Sequence, residues 1–438
     1  DGKIPFEEMV YTEGEERTQY FVRNIRVEFG TTLVHSRKIS IRAMIEMEVG
    51  CENLIEEETA VDLESSASIY KKQKPVNLLK LHTAKKDTYR IKEEITIPGT
   101  KESIGQVLLT DITGRKLEVR AAQDELLLRG ELQIFCMYLS EEGKTDWLEQ
   151  SVPYEGRIEC SGATEGMYYD VQHALEDTLA DVRMDEDGEM RIIGIEGTVS
   201  LRINLYEEEE LNLLEDLYSL EQKVSYQTRE AVYEELLLQN QSKCKIVENL
   251  SLPELKDDVL QICHSSGSVQ IEHVETRAEK QGGILIEGIL HVSFLYLKAD
   301  DALPFGNWQG MVPFSYLLEC PDMPKDVRYQ LSNRVEQISV TMTGSDSVEV
   351  KAVLDFDVFL RKEVPMQVIT EVSLEETDRE ELAKKPGIVG YMVKSGDDLW
   401  TLAKQYMTTE ESIRQINHLE NGKIKPGDKL IICKEIGM

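Results

Sequence analysis

The sequence is short of several things that carry chemistry. Cysteine is sparse: 7 in 438 residues, widely spaced and with no C-x-x-C pair. That excludes a zinc ribbon or a thioredoxin-type redox site. Cys136 follows Phe135 and Cys433 follows Ile432, apolar contexts that read as buried free thiols in a reducing, cytosolic compartment. Positive charge is also scarce: 49 Lys and Arg face 82 Asp and Glu, a net of −33. Nucleic-acid binding draws on a basic surface that releases counterions, so DNA and RNA are excluded as partners. Docking on anionic lipid is excluded for the same reason. No apolar run reaches the roughly 18 residues that a membrane span needs. The chain opens on Asp1 with no signal-like stretch behind it, so the expectation is that this residue marks a cleavage boundary.

Catalytic patterns are missing as well. The seven histidines (His35, His82, His173, His264, His273, His291 and His418) form no H-E-x-x-H pair, and there is no G-x-S-x-G elbow. Cys263 and His264 are neighbours in a strand pattern, so their side chains point to opposite faces and make no dyad. Gly143-Lys144-Thr145 ends like a P-loop, but Tyr138 stands where the leading glycine is needed. Asp185-Glu186-Asp187-Gly188 lacks the ligand steps of a calcium loop and reads as a hairpin turn. Glu207 to Glu210 reads as a solvated loop, with a partner surface as the lesser alternative. The expectation is a non-enzyme that needs no metal and no cofactor.

What is present is a repeat. Residues 129–138 (RGELQIFCMY) match residues 287–296 (EGILHVSFLY) at an offset of 158. A hydrophobic-Pro-aromatic landmark occurs three times, at Ile4-Pro5-Phe6, Val152-Pro153-Tyr154 and Val312-Pro313-Phe314. Some forty residues after each comes an alternating run: Ile45, Met47 and Val49; Val199, Leu201 and Ile203; Leu354, Phe356 and Val358. Period-two alternation predicts half-buried strands. The unit is a domain-sized module, and the first copy begins at its midpoint. Within a module, the Gly130 strand and the Gly197 strand look alike, which predicts a β-sandwich doubled about a pseudo-twofold. Glu221 to Gln241 has neither Gly nor Pro and is rich in Glu, Leu and Gln, which predicts a helix joining the two full modules.

Charge marks the far boundary. Residues 141–220 hold 22 acidic and 5 basic side chains, whereas residues 389–434 hold 6 and 7. Residues 377–388, polar and containing Pro386-Gly387, read as a linker. The predicted organisation is mainly β. It runs as half a module (1–75), a full module (76–226), a second full module with its leading helix (227–376), the linker, and a small βααβ domain (389–434).

That last domain is the most explicit. Val389 to Lys394 alternates, Ser395-Gly396-Asp397-Asp398 turns, and Leu399, Leu402, Ala403 and Tyr406 fall on one helical face. Thr408 with Glu411 predicts the cap of a second helix that Asn417 closes. Lys425-Pro426-Gly427-Asp428 turns into a closing strand, with Trp400 and Leu402 as expected core. This order of strand, Gly-Asp turn, Leu-Trp helix start, Asn and P-G-x-x-L resembles a LysM domain along its whole length. Asp398 stands where that family usually has Thr. The resemblance implies binding of N-acetylglucosamine polymers or peptidoglycan. It places the groove at Gly396, Asp397, Asp398 and Leu399, with His418, Leu419, Ile424 and Lys425 opposite.

The repeated modules ahead of one LysM resemble the SPOCS domains of spore-forming Firmicutes. The resemblance rests on the threefold Pro-aromatic landmark and the G-x-h-x-h-x-h-x-Tyr strand. The whole order is similar to that of clostridial-type spore-coat morphogenetic proteins. What this implies is an adaptor on the mother-cell side of the forespore surface, with a coat base-layer protein, the spore-coat ATPase, as partner.

Overall fold

The alternating runs form long antiparallel strands in the computed structural model. It describes residues 4–13, 18–66, 68–256, 258–278, 282–298, 304–376, 386–419 and 423–435. The linker expected at 377–388 lies mostly outside the described residues.

Six strands make the first full module. β3 (Ile69–Thr96), β8 (Met190–Ser219) and β7 (Tyr168–Met184) form one sheet in that order. β4 (Ile104–Ala122), β5 (Glu125–Ser140) and β6 (Thr145–Glu159) form the other. The second module repeats this with β9 (Gln222–Ser251), β14 (Ser347–Glu376) and β13 (Val327–Met342) against β10 (Val259–Arg277), β11 (Gly283–Lys298) and β12 (Phe305–Glu319). In each module one buried cluster draws on both sheets. Leu126, Leu132 and Ile134 of β5 meet Ile193, Val199 and Ile203 of β8. Leu290 and Phe294 of β11 meet Leu354, Phe356 and Val358 of β14. Two sheets that share one apolar core are a sandwich.

The internal doubling takes an exchanged form. Each half contributes a leading strand and a hairpin: β3 with β4–β5, then β6 with β7–β8. The leading strand joins the other half's hairpin, β3 beside β8 and β6 beside β5. The sequence landmarks are the two sides of one contact across β5 and β6. Gly130 lies opposite Tyr154, and a Cβ on Gly130 would meet the Tyr154 ring at 2.3 Å. Gly288 and Phe314 repeat the arrangement in the second module. The Pro-aromatic of one strand therefore covers the glycine of its neighbour.

Ahead of these modules stands a hairpin, β1 (Thr18–His35) and β2 (Lys38–Asn53). Glu52 in β2 is held by Arg202 and by Arg361, each 3.0 Å away, and Arg202 also lies 3.9 Å over the Phe21 ring.

Two expectations are corrected. The helix predicted over 221–241 is strand β9. Its helix-forming Glu and Leu residues are interleaved with Val224, Tyr226, Val232 and Tyr233, and β14 supplies a strand edge that local propensity cannot foresee. The Glu207–Glu210 run is likewise strand, within β8. Of the cysteines, five are buried, whereas Cys51 is exposed and Cys433 partly so. The turn at Asp185 is as expected: its carboxylate accepts from the Asp187 and Glu189 amides, and Gly188 takes φ +83°.

By contact, the chain divides into two compact units. One gathers Asp1–Ile55, Lys80–Glu207 and Leu236–Lys362, and holds the sandwich cores and the hairpin. The other gathers Glu56–Leu79, Glu208–Glu235 and Glu363–Met438. In it, Leu214, Leu217 and Ile369 make a small core with Leu63, Val224 and Tyr226 beside them. The same unit contains the C-terminal βααβ fold: β15 (Ile388–Met392), α1 (Leu399–Tyr406), α2 (Glu410–Ile416) and β16 (Lys429–Cys433), with β15 and β16 antiparallel.

Candidate functional site

Seven of the eight predicted groove residues sit on the turns and loops that join the elements of the βααβ fold, and Leu399 opens α1. Gly396 takes φ +93°, a left-handed conformation that glycine adopts freely, and it is exposed. The Asp397 carboxylate accepts from the Tyr391 hydroxyl at 2.8 Å and from the Lys394 amide at 2.7 Å, which fixes the turn. Asp398 caps α1 by accepting from the Thr401 amide at 2.6 Å. Burial works against its charge, but that bond and nearby Lys72 hold its carboxyl below the usual carboxylate range. The residue where LysM sequences usually carry Thr thus does a helix cap's work.

On the opposite side, His418 takes φ +51° after α2 and is exposed. The Lys425 amide donates to Asp428 at 2.8 Å, and the Lys425 side-chain end of the turn is exposed. Leu399 is buried in the domain's apolar cluster, and Leu419 and Ile424 pack against it half-buried. The structure therefore brings Leu399, Leu419 and Ile424 to one apolar cluster and leaves Gly396, Asp398, His418 and Lys425 at the surface. Asn417 is committed to the fold: its amide donates to the Ile413 and Ile431 carbonyls and accepts from the Ile431 amide. The cap of α2 is Thr409, one residue after the expected Thr408, which is buried instead.

Trp400 packs against the domain's core, as expected, and also takes a polar role. It is half-buried, and its indole donates to Asp216 of β8 at 2.8 Å. Asp216 also accepts from Lys404 and from the Tyr226 hydroxyl. Burial works against the charge on Asp216, but these bonds hold its carboxyl below the usual range. Around it, Tyr218 meets the Trp400 ring edge-on at 4.9 Å, stacks on Tyr70, and donates to the Thr408 carbonyl at 3.0 Å. Tyr218 and Leu220 are buried in the same cluster as Leu399, Leu402 and Ile432. The small domain is thus docked on the end of β8. Sequence reading missed Asp216, Tyr218 and Tyr226, since nothing local links them to a helix some 180 residues later.

A second concavity lies in the sandwich unit, where β4, β7, β9 and β14 leave a cavity of about 540 Å³ lined by Tyr169, Asp170, His173, Gln241, Asp357 and Phe359, among others. Burial raises the Asp170 carboxyl to about 6 and lowers the His173 imidazole to about 4, so both charged forms are disfavoured there. Among the described residues, no group of three His, Cys, Asp or Glu is placed to hold a metal.

Comparison with known families supplies the names. Residues 391–432 match the LysM domain. Residues 103–183 and 258–343 match the family described as SipL, SPOCS domain. The chain carries two SPOCS segments and one LysM domain. Each SPOCS segment covers the corresponding four strands, β4 to β7 and β10 to β13, so the family match and the strand topology find the same repeat. The LysM match runs from β15 into β16. No curated protein and no solved structure matches the chain. No helix among the described residues is long and apolar enough to cross a membrane.

Proposed function

We propose that this protein is a structural adaptor of spore-coat assembly, in which SPOCS sandwiches present a LysM domain to a coat protein. SPOCS and LysM domains together support a sporulation-related role, and neither is a known catalytic domain. The observation that carries the adaptor reading is the docking itself. Trp400, Lys404 and Thr408 are engaged by Asp216 and Tyr218, while Gly396, His418 and Lys425 stay exposed. A recognition domain fixed by one face and open at another suits an adaptor, because fixing it removes orientational freedom before binding. The partner in this reading is the coat base-layer ATPase, met on the mother-cell side of the forespore surface. The rim Gly396, Asp397, Asp398, His418, Leu419, Ile424 and Lys425 is its contact, with Leu399 supporting it from the buried cluster.

A second reading has the same rim bind N-acetylglucosamine oligomers or peptidoglycan. It is favoured by the LysM match itself, with exposed backbone at Gly396 to bond an acetamide and half-buried Leu419 and Ile424 as apolar wall for its methyl. One experiment separates the two. Immobilised full-length protein should retain the ATPase, and Lys425→Glu should weaken that retention at least about tenfold, a loss on the scale of one interface charge. Chitin oligomers should leave the tryptophan fluorescence unchanged. No retention of the ATPase rejects the adaptor reading, and saturable quenching by chitin oligomers establishes the second.

A further inference from the structure

The hairpin β1–β2 is the counterpart of β7–β8 and β13–β14, and the comparison can be made residue by residue. Ile39, Ile41 and Val49 align with Ile193, Ile195 and Ile203 in the first full module and with Val348, Val350 and Val358 in the second. Those six are at most 2% exposed, whereas Ile39, Ile41 and Val49 are 40–63% exposed. Across the hairpin, Val22, Ile25, Val27 and Leu33 stand opposite Val49, Met47, Ile45 and Ile39, so they share that face, and all four are exposed.

Residues 4–13 tell the same story. Ile4, Phe6 and Val10 align with Val152, Tyr154 and Ile158 of β6 and with Val312, Phe314 and Leu318 of β12. The six are at most 9% exposed, whereas Ile4, Phe6 and Val10 are 54–70% exposed, and no strand forms there. In the full modules this leading strand pairs with β5 or β11, the centre strand of the other half. Among the described residues, nothing stands in the place of that centre strand.

We propose that residues 4–53 are an acceptor surface for a first half-module of the SPOCS kind: one leading strand and one hairpin. The occupant has a recognisable chemistry. Its centre strand carries glycine where Phe6 lands, as Gly130 and Gly288 do beneath Tyr154 and Phe314. Alternate apolar residues then cover Ile39, Ile41 and Val49, as Leu126, Leu132 and Ile134 share a core with β8. Among the described residues β2 pairs with β1 alone, and the occupant's leading strand adds to its other edge, as β3 adds to β8. Recognition is strand addition with pockets for alternate side chains. Charge does not oppose it: residues 1–55 hold 10 acidic and 7 basic side chains, against 22 and 5 over residues 141–220. The face is large enough. At about 3.3 Å per residue and 4.8 Å per strand, 16 paired positions and a ten-residue strand offer on the order of 650 Å², near the roughly 800 Å² per partner of a stable interface.

The alignment also fixes the test, because Asp1 corresponds to Glu149. The full chain is extended by a copy of residues 69–148 placed directly ahead of Asp1, in register with the module. Amide hydrogen exchange is then followed in residues 18–53. The extension should slow exchange there at least about tenfold, the mark of a strand gaining a partner and a cover. An extension carrying Leu132→Asp and Ile134→Asp in the added copy should leave exchange as in the parent chain, whose own modules are untouched. Unchanged exchange with the intact extension overturns the proposal. So does sedimentation of the parent chain as a dimer with residues 18–53 already protected, which would make a second copy the occupant.

Discussion

In the first sandwich, Leu126, Leu132, Ile134 and Ile203 are shut off from water and meet apolar neighbours from the facing sheet. At the end of β8, the LysM domain is tied by the Asp216 carboxylate, which takes bonds from the Trp400 indole and the Lys404 ammonium, and by Tyr218 and Leu220, which are buried in the LysM cluster. The contrast is between a non-directional force acting alone and one joined to a directional, titratable contact. Apolar burial asks only that the right face be covered, which is why Val199, Leu201 and Ile203 serve as well as Leu354, Phe356 and Val358. The Asp216 anchor asks for particular atoms at particular places, so it can be lost without loss of the cores.

The sharpest way to test that separation is to damage a core. Phe356→Ala should cost about 3–5 kcal/mol, read as a lower urea midpoint for the sandwich transition. Protease resistance of the LysM segment should persist until that transition; if it is lost well before, the two regions do not separate as described. Next in size is Asp216→Ala, which strips Trp400, Lys404 and Tyr226 of their shared acceptor. It should weaken docking by about 2–3 kcal/mol, seen as early cleavage in the 377–388 segment with the sandwich midpoint unchanged.

Acidity should reproduce that variant. The Asp216 carboxyl is held below its ordinary value in the folded chain. Its contribution is therefore complete above the unfolded value of about 3.9 and is lost as pH falls through the folded one. Tryptophan emission should report undocking below about pH 4. His264 gives the opposite sign inside the sandwich unit. Its Nε2 lies 2.9 Å from Asp111 and its Nδ1 3.4 Å from Glu149, and it stacks on Phe135. Burial favours its neutral form, but the two carboxylates outweigh that and raise its pKa. Its stabilisation is present below the unfolded value of about 6.5 and fades as pH rises through the folded one. His264→Gln should thus cost about 1 kcal/mol at pH 5.5 and much less at pH 9, by urea unfolding. The smallest effect concerns the LysM fold alone: Thr409→Ala removes the cap on α2 and should cost about 1 kcal/mol in its thermal transition.

Much of this architecture was legible in the sequence, for a physical reason. Strand alternation and the Pro-aromatic landmark report local requirements of a half-buried sheet, and they recur in all three copies. The LysM order was legible because turns and caps are local: Gly396, Asp398 and Asn417 each do the work their residue type suggests. The 221–241 segment misled because its composition favours a helix, and only its tertiary partner β14 decides for strand. Trp400 was legible only in part. A tryptophan at a helix start reads as core, yet the Asp216 it serves lies 184 residues upstream. The meaning of Gly130 was out of reach until Tyr154 was seen above it.

The exchanged leading strands set a timetable for synthesis. β3 ends at Thr96, but its partner β8 starts only at Met190. At about 5–20 residues per second, β3 waits on the order of 5–20 s at the ribosome with its edge unpaired. β9 waits about as long for β14, from Ser251 to Ser347. Each module therefore closes late, when its last strand arrives, and nascent chains on one message expose complementary edges to one another in the meantime. Slow, non-local closure of this kind is where trigger-type chaperones would earn a measurable gain in yield.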